Sequence, residues 1–291
     1  MTSDVTAATR DGRSEAGVGD APSTPAAGRV NGHAPAPAGE VTPAIAIRGV
    51  GKAFRTGRTA LVALERIDLD VAPGEFVCVV GASGCGKSTL LNLVAGLDAP
   101  TAGTVEVQGR TALMFQEAAL FPWLSVAGNV DLALKLNKVP KAERKDRVAA
   151  LLELVRLEGF AGRQPHELSG GMRQRVALAR SLAQDADVLL MDEPFGALDA
   201  MTRDILHDEL ENLWRTRELS VLFVTHNVRE AARLGDRIVM LSSRPGRVAA
   251  TVDMTSPRPR RIDSAAVNEV AASVTDRLRE EVRRHAADDR G

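Results

Sequence analysis

From Ala44 onward the chain switches repeatedly between a two-residue and a three-to-four-residue hydrophobic repeat. "AIAIRGV" reads as a strand, and "RIDLDV" puts Ile67, Leu69 and Val71 on one side of a second. Pro73-Gly74 turns into "EFVCVVG", a continuous apolar run of the kind shown by a strand buried on both faces. "GTVEVQG" and "TALMFQ" predict further strands. After Phe121 the repeat becomes helical, with apolar positions three and four apart in "KAERKDRVAALLELVRL". Extended and helical segments then alternate through "DVLLMDE", "TRDILHDELENLWRT", "SVLFVTH", "VREAARLG" and "RIVML". "SSRPGRVAATV" turns at Pro245-Gly246 into a last strand, and an amphipathic helix over residues 266–285 follows. This alternation predicts an α/β fold whose core sheet is mostly parallel and covered by helices.

Residues 1–43 break the pattern. Their mixture of Ala, Gly, Pro, Ser and Thr buries too little apolar surface to offset the entropy of ordering, so a disordered tail is expected, with a binding role as the alternative. The remaining 44–255 make one domain, followed by a C-terminal extension over 256–291. Across all 291 residues the formal net charge is −1, which gives no general attraction to nucleic acid or to an anionic membrane. The two cysteines, Cys78 and Cys85, provide no disulfide framework, as expected of a reducing cytosol. No apolar run is long enough to span a bilayer, and "MTSDVTAATRDGRSEAG" lacks the apolar core of a secretory signal. Work at a membrane would need a partner to hold the chain there.

"GASGCGKST", Gly81 to Thr89, carries the sharpest chemistry. It satisfies G-x-x-x-x-G-K-[ST] and lies between the strand "FVCVV" and the helix "STLLNLVAG". Gly81, Ala82, Ser83, Gly84, Cys85 and Gly86 form a loop whose backbone N–H groups can curl around phosphate oxygens, aided by the positive end of the helix. Lys87 would reach the β- and γ-phosphates, and Ser88 would coordinate Mg²⁺. Cys85 stands at a variable position of the loop and has nothing to pair with, so no redox role is expected of it.

"DVLLMDEP" ends an apolar strand on Asp192, at the sheet edge where open α/β folds bind ligands. Asp192 would hold Mg²⁺ through water, and Glu193 would orient and deprotonate an attacking water. The structural alternative is an acidic pair capping the next helix. "LFVTHN" places His226 at an equivalent edge, either as a structural residue or as a donor to the γ-phosphate. His33, His166, His207 and His285 lack such a context and are expected at the surface.

"LSGGMRQRVALAR", residues 168–180, reads as a helix with Ser169 as its N-cap and Gly170 and Gly171 allowing close approach of a ligand. Arg173 and Arg175 lie near the positive end of that helix, an unfavourable position for cations, so an anion is expected there to offset them.

Together these motifs resemble the nucleotide-binding subunit of an ATP-binding cassette (ABC) transporter, over residues 44–250. They occur in the family order: the phosphate loop, "FQE" at Gln116, the signature "LSGGMRQR", the acidic strand ending "DE", "ALD" at Asp199 and the switch histidine His226. The resemblance implies a P-loop cassette with an N-terminal antiparallel β subdomain and an inserted helical signature subdomain near 117–172. It also implies that two cassettes pair head to tail, so that Ser169, Gly170, Gly171 and Asp199 contact ATP bound by the other chain. Gln116 would touch Mg²⁺ and sense the γ-phosphate. Phe54, in "VGKAFRTG", matches the aromatic that stacks on adenine, although a core Phe is the alternative. Met172 departs from the commoner Gln of the signature.

"MFQEAALFPWLSVAGNV", "GALDAMTR" and "LSSRPGRV" with "PRPRR" are similar to the ATPases of bacterial nitrate, sulfonate and taurine importers. That class implies Mg²⁺ with ATP, a homodimer of cassettes, two membrane permease subunits, a separate solute-binding protein and a place on the cytoplasmic face of the membrane. "FPWLSV" follows the glutamine loop where permease coupling helices dock. Phe121, Trp123 and Leu124 therefore form either a docking surface or part of the helical interior, while "PRPRR" reads as a solvated stretch. The competing functions are a non-transport ABC ATPase and an ATP-dependent regulatory protein.

Overall fold

A computed structural model describes residues 42–57 and 59–288; most of the expected tail, residues 1–41, lies outside the described residues. Two sheets share the chain. β1 (Ile45–Thr56), β2 (Thr59–Val71) and β4 (Ala102–Val107) form an antiparallel sheet in the order β2-β1-β4. The second sheet has six strands and contains β3 (Phe76–Gly81), β5 (Thr111–Met114), β6 (Val188–Asp192), β7 (Ser220–Val224), β8 (Arg237–Leu241) and β9 (Val248–Asp253). Its order is β5-β6-β7-β3-β8-β9, parallel except for β9.

The period-two pattern of β3 explains why it is apolar at every position. Val77 and Val79 face a core shared with Ile45, Ile47, Leu64 and Ile67 of the small sheet and with Leu90 and Leu91 of α1 (Lys87–Val94). Phe76, Cys78 and Val80 face the opposite core, which is roofed by helices. Those helices are α2 (Val126–Leu136), α3 (Lys141–Leu154), α4 (Gly170–Leu182), α5 (Ala200–Arg217), α6 (Val228–Leu234) and α7 (Ala265–Asp288).

The hydrophobic repeat did not predict α2. The polar Asn129 occupies its buried face, accepting from Phe121 N at 2.8 Å and donating to the Phe121, Leu124 and Ser125 carbonyls. A buried side chain that satisfies a neighbouring turn interrupts the apolar stripe without interrupting the helix.

"PRPRR" is not a solvated stretch. Arg260 is buried and donates to the carbonyls of Arg233, Gly235, Met254 and Ser256. Arg258 pairs with Asp236 at 2.8 Å and Glu211 at 3.2 Å, with its guanidinium 4.4 Å from the centre of the Trp214 ring. The segment straps the end of β9 to α5 and to the turn after α6, because long basic side chains can bury their stems while their heads find carbonyls.

Candidate functional site

Three parallel strands bring the motifs together. β3 lies between β7 and β8, and β6 lies on the far side of β7, with Val79 opposite Val224 and Val224 opposite Asp192. All three therefore end at one edge, where Gly81, Asp192 and Thr225 emerge side by side. A cleft of 460 Å³ opens there. Among the residues expected to bind nucleotide, Phe54, Ser83, Gly84, Gly86, Lys87, Ser88 and Thr89 line it, as do Gln116, Glu193 and His226. Gly81, Ala82 and Cys85 do not line it.

The loop's glycines have local reasons. Gly86 has φ +102 as the N-cap of α1, and a Cβ there would lie 2.6 Å from Leu64 Cδ2. A Cβ on Gly81 would come within 2.7 Å of Cys85 Sγ, which is itself buried. Burial pushes the Cys85 thiol up, so it is a packing group. Lys87 is buried and donates to the Gly81 and Ala82 carbonyls at 2.9 and 3.0 Å, which folds its ammonium back inside the loop.

Burial raises the Asp192 carboxyl above its ordinary range, opposed by a hydrogen bond from Ser88. Glu193, the next residue, is held at φ +47 with its N–H bonded to the Val224 carbonyl at 2.9 Å. That backbone, uncommon for a residue with a side chain, projects the carboxylate into the cleft. There His226 Nδ1 lies 3.0 Å from Glu193 Oε2, and Gln116 Nε2 donates to the same oxygen at 3.4 Å. Phe54 is 40% exposed at the cleft wall, with the Lys52 ammonium 5.0 Å from its ring centre, so it is not a core residue.

Ser169, Gly170, Gly171 and Asp199 stand apart from this cleft. Ser169 caps α4, accepting from Met172 N at 3.2 Å, and Asp199 caps α5, accepting from Thr202 N at 3.0 Å. The Thr202 bond holds the Asp199 carboxyl below the usual range. A Cβ on Gly171 would meet Leu198 Cδ2 at 3.0 Å and the Ala197 carbonyl at 3.1 Å, so close packing on the "ALD" loop already favours a glycine. The arginines at this helix start also have partners within the chain. Arg173 donates to the Leu168 carbonyl at 2.6 Å, and Arg175 to those of Val155 and Arg156 at 3.1 and 2.9 Å.

Two features escaped the sequence reading. His207 is not at the surface: it is fully buried, with Nε2 2.8 Å from Glu230 Oε1 and Nδ1 3.1 Å from Arg233. Glu230 in turn accepts from the hydroxyl of Thr225, the residue before His226. Gln174 of α4 donates to the Gln116 carbonyl at 3.4 Å and accepts from Ala197 N at 2.9 Å, tying the signature helix to both loops. No spacing rule announces either contact, since each joins residues distant in sequence.

On the outer surface, Trp123 is 72% exposed, and its ring centre lies 5.6 Å from that of Phe121. A groove of 810 Å³ beside it is lined by Leu97, Phe115, Phe121, Leu132 and Leu136. None of the helices among the described residues is long and apolar enough to cross a membrane.

The profile of the family described as ABC transporter matches residues 64–196. Nitrate import ATP-binding protein NrtD of Synechocystis sp. is 46% identical over 72% of this chain and 82% of that protein. Aliphatic sulfonates import ATP-binding protein SsuB of Bacillus cereus is 43% identical over 79% of this chain and 94% of that protein. A dimeric ATP-binding cassette in a post-hydrolysis state, bound to ADP and Pi, superposes with a TM-score of 0.69. It is 32% identical and covers 73% of this chain and all of that one. The edge-of-sheet cleft, the phosphate loop and these relatives agree: this chain belongs to the ABC transporter family, as one of its ATP-binding cassette ATPases.

Proposed function

We propose that the chain is the ATP-hydrolysing subunit of an importer for a small anion such as nitrate, an aliphatic sulfonate or taurine. The convergence of His226 and Gln116 on one oxygen of Glu193, at the mouth of the phosphate-loop cleft, is the observation that carries the hydrolytic part. In this reading ATP enters as its Mg²⁺ complex. Ser88 and Asp192, already hydrogen-bonded, are a pair of oxygen donors that suits a hard cation and leaves its other positions to phosphate and water. Ser88 and Asp192 would hold the ion, whose positive charge would offset the negative charge of the phosphates. Lys87 would exchange its two loop carbonyls for the β- and γ-phosphates, and Phe54 would stack on the base. Glu193 accepts the proton of the attacking water, with His226 and Gln116 fixing its orientation and contacting the γ-phosphate.

The site is completed by a second copy. Ser169, Gly170 and Asp199 are exposed, Gly171 is half-buried, and all four lie outside their own chain's cleft, which supports a role at the nucleotide of a partner cassette. Closure of the two copies on ATP and reopening after hydrolysis would drive two permease subunits. The apolar groove beside Phe121 and Trp123 suits a permease helix, which would hold the chain at the cytoplasmic face. A separate binding protein would choose the solute.

Reconstitution with the permease subunits in liposomes tests this reading. Uptake of labelled nitrate or a sulfonate should depend on ATP and be lost in Lys87→Ala. ATP hydrolysis with no uptake across a panel of small anions would favour the non-transport ATPase instead.

A further inference from the structure

The turn between β8 and β9, residues 242–247, is pinned against the phosphate loop. Gly246 N donates to the Ala63 carbonyl at 2.9 Å, and the Gly246 carbonyl accepts from Glu65 N at 2.9 Å. A Cβ on Gly246 would lie 2.1 Å from the Cys85 carbonyl, so only glycine permits this approach. Ser242 Oγ donates to the Pro245 carbonyl and accepts from Arg247 N, each at 3.0 Å, and Arg247 pairs with Glu65 at 2.7 Å. The turn is thus fixed at both ends and in its middle.

Its remaining long side chain, Arg244, points over the loop. Nε and Nη2 donate to the Gly84 carbonyl at 3.3 and 3.2 Å, and the residue lines the cleft together with Phe54, Lys87 and His226. Among the described residues it has no carboxylate partner, whereas Arg237, Arg247 and Arg258 of the same region each have one. An exposed cation with no carboxylate partner, on a rigid mount and in contact with the phosphate loop at Gly84, is suited to bind an anion.

We propose that Arg244 is a nucleotide-binding residue, the second cation of the cleft after Lys87, and that its guanidinium engages the diphosphate shared by ADP and ATP. This rests on the cleft being the ATP site. Gly84 belongs to the phosphate loop, and both it and Arg244 line the cleft, so the guanidinium already stands at the loop that would hold the phosphates. The planar fork of donors can keep Gly84 with one N–H while binding phosphate with others.

Affinities of ADP and ATP, measured by calorimetry on the full chain and on Arg244→Ala, Arg244→Gln and Arg244→Lys, test the assignment. Arg244→Ala should weaken both nucleotides about tenfold, since the lost contact is charge-assisted, and should flatten the salt dependence of binding. Arg244→Gln should fall as far as Arg244→Ala, because an amide can still reach the Gly84 carbonyl but carries no charge. Arg244→Lys should recover part of the loss. Wild-type affinity in Arg244→Gln would reduce the residue to a loop tie and overturn the proposal, as would a loss confined to ATP. Failure of the unmodified chain to bind either nucleotide would instead sink the reading of the cleft itself.

Discussion

His226 Nδ1 and Glu193 Oε2 are 3.0 Å apart, although the two residues stand at the ends of different strands. The contact exists because β6 and β7 are parallel neighbours in register, with Asp192 opposite Val224, so that the next residues of each strand leave the sheet together. Glu193 is further fixed by its N–H bond to Val224 and by its φ of +47. A carboxylate restrained in this way needs little rearrangement to act as a base. Glu193→Gln should retain ATP binding and lower turnover by about 10²–10⁴, the usual contribution of a general base. Single-turnover phosphate release beside equilibrium nucleotide binding measures both halves, and unchanged turnover would remove Glu193 from the mechanism.

If His226 acts largely through Glu193, the two substitutions should not add. His226→Ala alone is expected to cost about 10²–10³ in turnover. The double variant Glu193→Gln/His226→Ala should be little slower than Glu193→Gln, as for residues that work as a unit. Multiplicative losses would mean that the histidine's contact with the γ-phosphate outweighs its hold on Glu193. The comparison needs only steady-state ATPase rates at saturating nucleotide.

The contiguous parts of this cleft were legible in sequence for physical reasons. A phosphate loop needs glycines, a lysine and a hydroxyl within nine consecutive positions, and an acidic strand end needs only an apolar run before it. Contacts between distant segments left no such trace. His207 looked like any helical histidine, and its burial depends on Glu230 of α6 meeting it across the helix pair at 2.8 Å. Charge at a helix start suggested an anion beside Arg173 and Arg175, but it did not reveal that both also donate to carbonyls of the preceding segment. "PRPRR" misled in the same direction, since its charge suggested water while Glu211, Asp236 and Trp214 supplied a protein surface. Strand order was predictable in kind, whereas β1 runs on to Thr56 through irregular register that no alternation reveals.

Asp192 is kept at a stability cost that its substitution should release. Burial raises its carboxyl pKa in the folded chain above the unfolded value. The unfolded state therefore gives up this proton first as pH rises, and the residue's contribution to stability falls through the interval between the two values. Above that interval the penalty is complete. Asp192→Asn should melt higher than the wild type at neutral pH by about 2–4 °C for each kcal/mol recovered, with the difference shrinking under acidic conditions. Its Mg²⁺-dependent ATP hydrolysis should be lost. Thermal melts of the nucleotide-free protein across pH check the sign; a lower neutral melting temperature would mean that the Ser88 hydrogen bond outweighs desolvation.

The Arg258–Glu211 pair permits a sharper test, because both side chains lie largely out of water. Arg258→Ala removes the guanidinium from Glu211, Asp236 and the Trp214 face at once, and leaves the Glu211 carboxylate buried without its partner. An orphaned buried charge of this kind costs about 3–5 kcal/mol, so urea midpoints should drop sharply. Removing the second charge as well should restore most of that loss: in Arg258→Met/Glu211→Met two apolar side chains replace two ions that had each been desolvated. Stability within about 1 kcal/mol of wild type is expected for the double variant, since well-packed apolar replacements of buried pairs are often neutral. A double variant as unstable as Arg258→Ala would shift the weight of the strap to Asp236 and the Leu234 carbonyl, the two partners that Glu211→Met leaves untouched.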